Sequence, residues 1–217
     1  MAFDLDGTLV VDRSSWAIIH EYFGTTQHGL RYLREYVEGK ISYVEFMRRD
    51  IAAWPKPLHI DTIAEILNDY KLREGAERAV GEIRKIGLET AIVSAGIEVL
   101  ALEVARKVGI DHVVANTLET DGEGYLTGEG VGRVDPLRKH EALLKLVDEL
   151  GVELENVVAV GDTMYDVSFL EHAGIGVAMG EDLKLRRVAD YRIDSIEDLP
   201  KLIMELSERN IPENSTF

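Results

Sequence analysis

Short apolar runs rich in β-branched residues alternate along this chain with segments of helical period, and few architectures bury both kinds of element. Ala91-Ile92-Val93 and Val157-Val158-Ala159-Val160 have no polar face, as strands covered on both sides must not. Each runs into a small polar turn and then a helical pattern: Ser94-Ala95-Gly96 before Ile97 to Val108, and Gly161-Asp162-Thr163 before Asp166 to His172. Ile175 to Ala178 and Tyr191 to Ile193 read as later strands, with helices over Leu183 to Ala189 and Ile196 to Glu208. In an open sheet built this way, ligands bind beyond the carboxyl ends of the strands.

Between Asp12 and Glu74 the strand patterns vanish. Trp16, Ile19 and Phe23, then Leu30, Leu33 and Val37, then Tyr43, Phe46, Met47 and Ile51, then Ile63, Ile66 and Leu67 recur at spacings of three and four. Gly39 reads as a helix stop, Ser42 to Glu45 as a capping box, and Trp54-Pro55-Lys56-Pro57 as a break. Asp121 to Gly124 suggests a hairpin. The charge changes in the same place. Arg13 to Arg73 carries nine basic and eight acidic residues in a chain of net charge −16. The expected fold is α/β: a Rossmann-like parallel sheet core, residues 1–12 and 74–217, with an inserted α-helical cap domain, residues 13–73. A length of 217 residues suits one domain with a large insertion, or two small ones, at about 150 residues per domain.

With 24 basic against 40 acidic residues, a phosphate backbone or an anionic membrane is a poor partner, so neither nucleic acid nor membrane is expected. The absence of cysteine removes thiolate catalysis, disulfides and cysteine-ligated metals. No apolar run approaches a span of about 20 residues, and the start does not read as a signal peptide, so the expected location is cytoplasmic.

The most specific stretch is Phe3-Asp4-Leu5-Asp6-Gly7-Thr8-Leu9-Val10. A parallel sheet would bring its turn beside the one carrying Asp162 and Asp166. Clustered carboxylates repel unless protons or a cation compensate, and a hard, oxygen-seeking magnesium ion suits four of them. The histidines His20, His28, His59, His112, His140 and His172 show no ligand spacing, and the aromatics Trp16, Phe23, Tyr43 and Phe46 read mainly as cap core.

The sequence resembles the haloacid dehalogenase superfamily of phosphohydrolases. The Asp4 to Thr8 loop, Val93-Ser94-Ala95-Gly96, Lys139 and Gly161-Asp162-Thr163-Met164-Tyr165-Asp166 follow in the family's order. It is most similar to the phosphoserine phosphatase branch, through Glu38-Gly39-Lys40 and Tyr125-Leu126-Thr127-Gly128. The resemblance implies a magnesium-dependent phosphomonoesterase acting on a small phosphorylated metabolite. In it Asp4 attacks phosphorus to form an aspartyl-phosphate, and Asp6 protonates the leaving group and later deprotonates water. Asp4, Asp162 and the Asp6 carbonyl hold the metal with Asp166 in support, while Ser94, Ala95, Gly96 and Lys139 hold phosphate. Arg138 competes with Lys139 for that role. The alternatives are a phosphotransferase that delivers the group to an acceptor alcohol, a non-enzymatic phospho-receiver domain, and a dehalogenase. Asp6 and the cap favour the phosphatase, because a storage module needs neither a leaving-group acid nor a lid.

Three departures from the branch stand out. Met1-Ala2-Phe3 leaves little strand before Asp4, and Tyr165 stands where the branch often has asparagine. The third is in the cap, where the branch reads the substrate ammonium with a glutamate and the carboxylate with an arginine. The matching positions here are Arg13 and Asp50, both of reversed charge. The expectation is that phosphoserine is not the preferred substrate. Arg13 then either receives an anionic group or pairs with Asp50. The oligomeric state is not legible in the sequence.

Overall fold

The computed structural model describes residues 1–11 and 14–209. Seven strands, β1 (Ala2–Phe3), β2 (Ala91–Ile97), β3 (His112–Thr120), β4 (Leu126–Val131), β5 (Val158–Gly161), β6 (Ile175–Met179) and β7 (Tyr191–Ile193), form one sheet in the order β4-β3-β2-β1-β5-β6-β7. All neighbours are parallel except β3 and β4, which make the hairpin expected at Asp121 to Gly124. There the Asp121 carboxylate accepts from the amides of Glu123 and Tyr125, each at 2.9 Å.

The first strand is short, as its three residues before Asp4 require, but its neighbours extend its pairing. Asp4 donates its amide to Val160 at 2.8 Å, and Met1 accepts from Ala91 at 2.8 Å, so the ladder runs one residue past each end. The strand order reverses direction at β1, the point where open α/β sheets bind ligands. Successive strand residues face opposite sides. Phe3, Ile92 and Val160 pack on one side with α5 (Ala76–Lys85), α6 (Glu98–Val108) and α10 (Leu199–Arg209). Ala2, Val93 and Ala159 pack on the other with α7 (Lys139–Leu150), α8 (Val167–His172) and α9 (Leu185–Val188). The helix expected from Asp166 begins one residue later, at Val167, because residues 164–166 form a 3-10 turn leading into α8. No helix among the described residues is long and apolar enough to cross a membrane.

Between β1 and α5 lie α1 (Ser15–Tyr22), α2 (Thr26–Val37), α3 (Tyr43–Ala53) and α4 (Ile60–Leu67). The capping box at Ser42 forms by half: its hydroxyl accepts from the Glu45 amide at 3.2 Å, while the Glu45 carboxylate pairs with Arg49 at 2.8 Å. These helices bury Ile19, Met47, Ile51 and Ile63 in the same apolar cluster that reaches down to Phe3. They are also stitched to the hairpin. Leu58 accepts from the Leu126 amide at 2.8 Å and Ile60 donates to Gly124 at 3.0 Å. On β4, a Cβ at Gly130 would lie 2.8 Å from the end of Met47, so the bare glycine lets α3 close onto the strand.

Phe169 is fully buried beneath β5, and its ring lies 4.9 Å from the Lys139 ammonium. Phe169→Ala should lower unfolding free energy by about 3–5 kcal/mol, the usual loss for a deleted core aromatic. Chemical denaturation checks this, and a loss below about 1 kcal/mol would show that the site collapses around the gap.

Candidate active site

The register of the sheet decides which carboxylates meet. Phe3 lies opposite Val160, so Asp4 and Asp162 leave adjacent strands nearly level, and the 3-10 turn folds Asp166 back beneath them. One carboxylate oxygen from each of Asp4, Asp162 and Asp166 falls within 4.8 Å of the others. Asp166 is the most heavily engaged. One oxygen accepts from Lys139 at 2.7 Å, and the other accepts from the amides of Asp162 and Thr163, both at 3.1 Å. Asp162 accepts from the Thr8 hydroxyl at 3.1 Å. A Cβ on Gly7, whose φ is 97°, would lie 2.1 Å from the Asp162 carboxylate, so both the turn and the carboxylate require glycine there.

Lys139, the first residue of α7, is buried and donates to both Asp4 and Asp166. Burial opposes its charge, but the Asp166 and Asp4 carboxylates outweigh burial and hold the ammonium above the ordinary lysine range. Arg138, the sequence competitor, points outward to Asp135 and Glu141. Burial raises the Asp4 carboxyl, with Lys139 opposing and the Asp166, Asp162 and Asp6 charges adding. Asp162 is pushed up to about 6, chiefly by burial and then by the Asp166 charge. The donor set is all oxygen, crowded and short of positive charge, which fits a hard divalent cation.

Asp6 sits across from this cluster, beside the end of β2. A Cβ on Gly96 would lie 2.6 Å from the Asp6 carboxylate. The Gly96 amide donates to the Ser94 hydroxyl oxygen at 3.0 Å, and the Ile97 amide donates to Ser15 at 2.9 Å. Two residues that the sequence reasoning did not select hold these loops. Arg73, where the chain returns from the inserted helices, donates to the carbonyls of Thr8, at 2.8 Å, and Gly7. Asn116, buried in β3, donates to the Tyr43 hydroxyl at 2.7 Å and to the carbonyls of Ala95 and Val134, both at 2.9 Å. Its own oxygen accepts from the amides of Arg133 and Val134. The amide side chain at the end of the apolar run Val113-Val114-Ala115 is the one local signal for Asn116.

The carboxylates, Lys139 and residues 94–96 line one cavity of about 500 Å³, within the usual range for small-molecule sites of roughly 300–1,000 Å³. The inserted helices supply much of the remaining wall, with Trp16, Ala17, Leu30, Leu33 and Phe46 as apolar members. Trp16, Tyr43 and Phe46 therefore serve both the core and the cavity, whereas Phe23 packs against the core. Asp50 also lines the cavity. It is buried 3.2 Å from His20 Nε2, close enough for an ion pair though off line for a hydrogen bond. Burial raises its carboxyl, with His20 offsetting part of the shift. Gly29 in α2 makes room for the His20 ring, since a Cβ there would lie 2.6 Å from it. Arg49 turns away to Glu35 and Glu45. Arg13 lies outside the described residues. Tyr165 lines the cavity rim near Asp162.

A family model described as haloacid dehalogenase-like hydrolase matches residues 1–171. Phosphoserine phosphatase of Methanocaldococcus jannaschii is 31% identical over 202 residues, 93% of this chain and 94% of that protein. The phosphoserine phosphatase of Archaeoglobus fulgidus is 30% identical over 194 residues, 89% of this chain but 56% of its own longer sequence. A solved structure of a phospho-aspartyl intermediate analogue of phosphoserine phosphatase is 30% identical, with a TM-score of 0.75 over 94% of this chain and 96% of the other. With a match across most of its length, and with the turns of that family gathered at one sheet edge, this chain belongs to the haloacid dehalogenase-like hydrolases, as a phosphatase acting on phosphoric monoesters.

Proposed function

We propose that the protein hydrolyses a small phosphorylated metabolite through an aspartyl-phosphate on Asp4, with magnesium held by Asp4, Asp162 and the Asp6 carbonyl and supported by Asp166. The observation that carries this reading is the buried Lys139 shared between Asp4 and Asp166 at the end of the central strand. It orients one Asp4 oxygen and supplies positive charge where a phosphoryl group would arrive. On this reading residues 1–12 and 74–217 form the catalytic unit and 13–73 its cap.

Magnesium bound there would neutralise phosphoryl oxygens and let an anionic nucleophile approach. Asp4 attacks phosphorus in line as the ester P–O bond breaks, and Asp6 gives its proton to the departing alkoxide. Asp6 then takes a proton from the water that attacks the aspartyl-phosphate, which frees inorganic phosphate and restores Asp4. Ser94, the Ala95 amide and Lys139 hold the phosphoryl oxygens throughout, while the Gly96 amide, expected among them, is engaged by Ser94 instead; phosphoryl transfer is mainly positioning and charge stabilisation. The Ser94 hydroxyl already accepts from Gly96, so its own hydrogen is the one to give.

A narrower reading, phosphoserine as the substrate, is supported by the names of the relatives. Against it stands Asp50 on the cavity wall, where whatever negative charge its neighbour His20 leaves uncompensated repels the carboxylate of a free amino acid phosphate. The described lining contains no arginine to receive that carboxylate. Like-charge contact in a closed site costs several kcal/mol, and about 1.4 kcal/mol is already tenfold.

Three outcomes follow from these roles. Hydrolysis of p-nitrophenyl phosphate should require magnesium and vanish in Asp4→Asn while the circular dichroism spectrum is kept; normal turnover in that variant would remove Asp4 as nucleophile. In the metal-free protein the raised Asp162 makes its ionised form the costly one, so the cost is absent at low pH, builds as pH rises from the ordinary carboxyl range towards about 6, and is full above it. A cation cancels that cost, so magnesium should raise the melting temperature more at about pH 7.5 than at about pH 5. Equal shifts would place the cation elsewhere. In steady-state kinetics, kcat/KM for phosphoserine should not exceed that for amine-free phosphorylated hydroxy acids, and a clear phosphoserine preference would overturn the charge argument.

A further inference from the structure

The end of β2 leaves its ladder where the phosphate-binding residues are proposed to lie. Val93 pairs with Val114 and Ile97 with Asn116, so four steps along β2 match two along β3 and residues 94–96 bulge out. A bulge strips backbone groups of their ladder partners, and buried ones must find others. The Ala95 carbonyl finds three. It accepts from the Trp16 indole at 3.0 Å, the Tyr43 hydroxyl at 3.1 Å and the Asn116 amide at 2.9 Å. Asn116 belongs to β3, but Trp16 and Tyr43 belong to the inserted helices α1 and α3. Ser15, also on α1, takes the Ile97 amide.

Three donors on an oxygen with two lone pairs fix the direction of its carbonyl. The peptide unit is planar, so fixing the Ala95 carbonyl aims the Gly96 N–H the opposite way, and there it meets the Ser94 hydroxyl oxygen at 3.0 Å. That contact in turn leaves the Ser94 hydrogen as the group to offer an anion. The inserted helices thus set a donor they do not themselves carry.

We propose that Trp16 and Tyr43 are positioning residues for phosphoryl transfer: by clamping the Ala95 carbonyl from the inserted helices, they aim the Ser94 hydroxyl at phosphate only while those helices are seated on the core. The inference rests on the phosphatase reading above. It adds that the inserted helices complete the phosphate-binding loop as well as covering the site.

Tyr43→Phe and Trp16→Phe each remove one donor while keeping a ring in place. The measurements are kcat and KM on p-nitrophenyl phosphate, the affinity for inorganic phosphate by calorimetry with magnesium present, the magnesium-induced melting shift, and the melting temperature. Each variant should lose about tenfold in kcat/KM and in phosphate affinity, the double variant more, with the magnesium-induced shift retained because the carboxylates are held separately. A merely structural role would lower the melting temperature and leave phosphate affinity alone. Unchanged phosphate affinity in both variants, with the unmodified protein hydrolysing the ester, overturns this inference and leaves the phosphatase reading standing. Absence of hydrolysis by the unmodified protein overturns that reading, and absence of phosphate binding as well overturns both. Tyr43→Phe is the more conservative change and decides the matter if Trp16→Phe does not fold.

Discussion

A lysine ammonium buried among carboxylates governs the arrangement of this molecule. Lys139 touches Asp4 from the central strand and Asp166 from the turn after β5, with Asp162 beside them. Removing such a charge from water is costly unless partners surround it, and removing one partner leaves the others exposed to that cost. Lys139 starts a helix on one side of the sheet, while its partners come from two different strand ends. The three segments must therefore arrive together. One ammonium does not balance three carboxylates, and burial first, then the neighbouring carboxylate charges, raise both Asp4 and Asp162. That surplus is what a divalent cation would relieve on the proposed reading.

The second constraint comes from the inserted helices. They supply the apolar side of the cavity, and they also reach into the core at points next to its polar floor. Trp16 and Tyr43 meet the Ala95 carbonyl, and Tyr36 hydrogen-bonds Asp135, whose carboxylate caps the short 3-10 turn leading to Lys139. Arg73, at the exit of the insertion, holds the loop that carries Asp6 and Gly7. These side-chain contacts and the exit at Arg73 thus end on residues that shape the site. The near-neutral charge of the insertion suits this position, since a strongly acidic lid over a carboxylate cluster would oppose an anionic substrate.

Much of the sheet was legible because fully buried parallel strands have no polar face to disguise them. β3 was not, because it does two jobs: its first half pairs with β2 and its second half with β4, and Asn116 ends its apolar run. The helices of the insertion were legible from spacing alone, but the direction each faces was not. Spacing made Trp16, Tyr43 and Phe46 core residues, and packing made them cavity walls as well. Helix starts differ from the expected ones by one to three residues, most clearly at Ile196, where a 3-10 turn over Ile196–Asp198 satisfies backbone groups before α10 begins at Leu199.

Local composition by itself determined the α/β class, the place of the insertion and the acidic turns, because strand burial, helical period and turn chemistry are properties of neighbouring residues. It also singled out Asp4, Asp6, Asp162 and Asp166 as one group, since a parallel sheet delivers its turns to one edge. Tertiary structure alone decided between Lys139 and Arg138, which are adjacent in sequence but lie on either side of the junction between a 3-10 turn and α7, one buried and one turned outward. It decided that Asp50 faces His20 in the cavity wall while Arg49 faces outward. It also decided that a backbone carbonyl in the bulge is held by side chains 52 and 79 residues away. Such contacts leave no trace in local pattern, because they depend on where distant segments cross rather than on what either segment is.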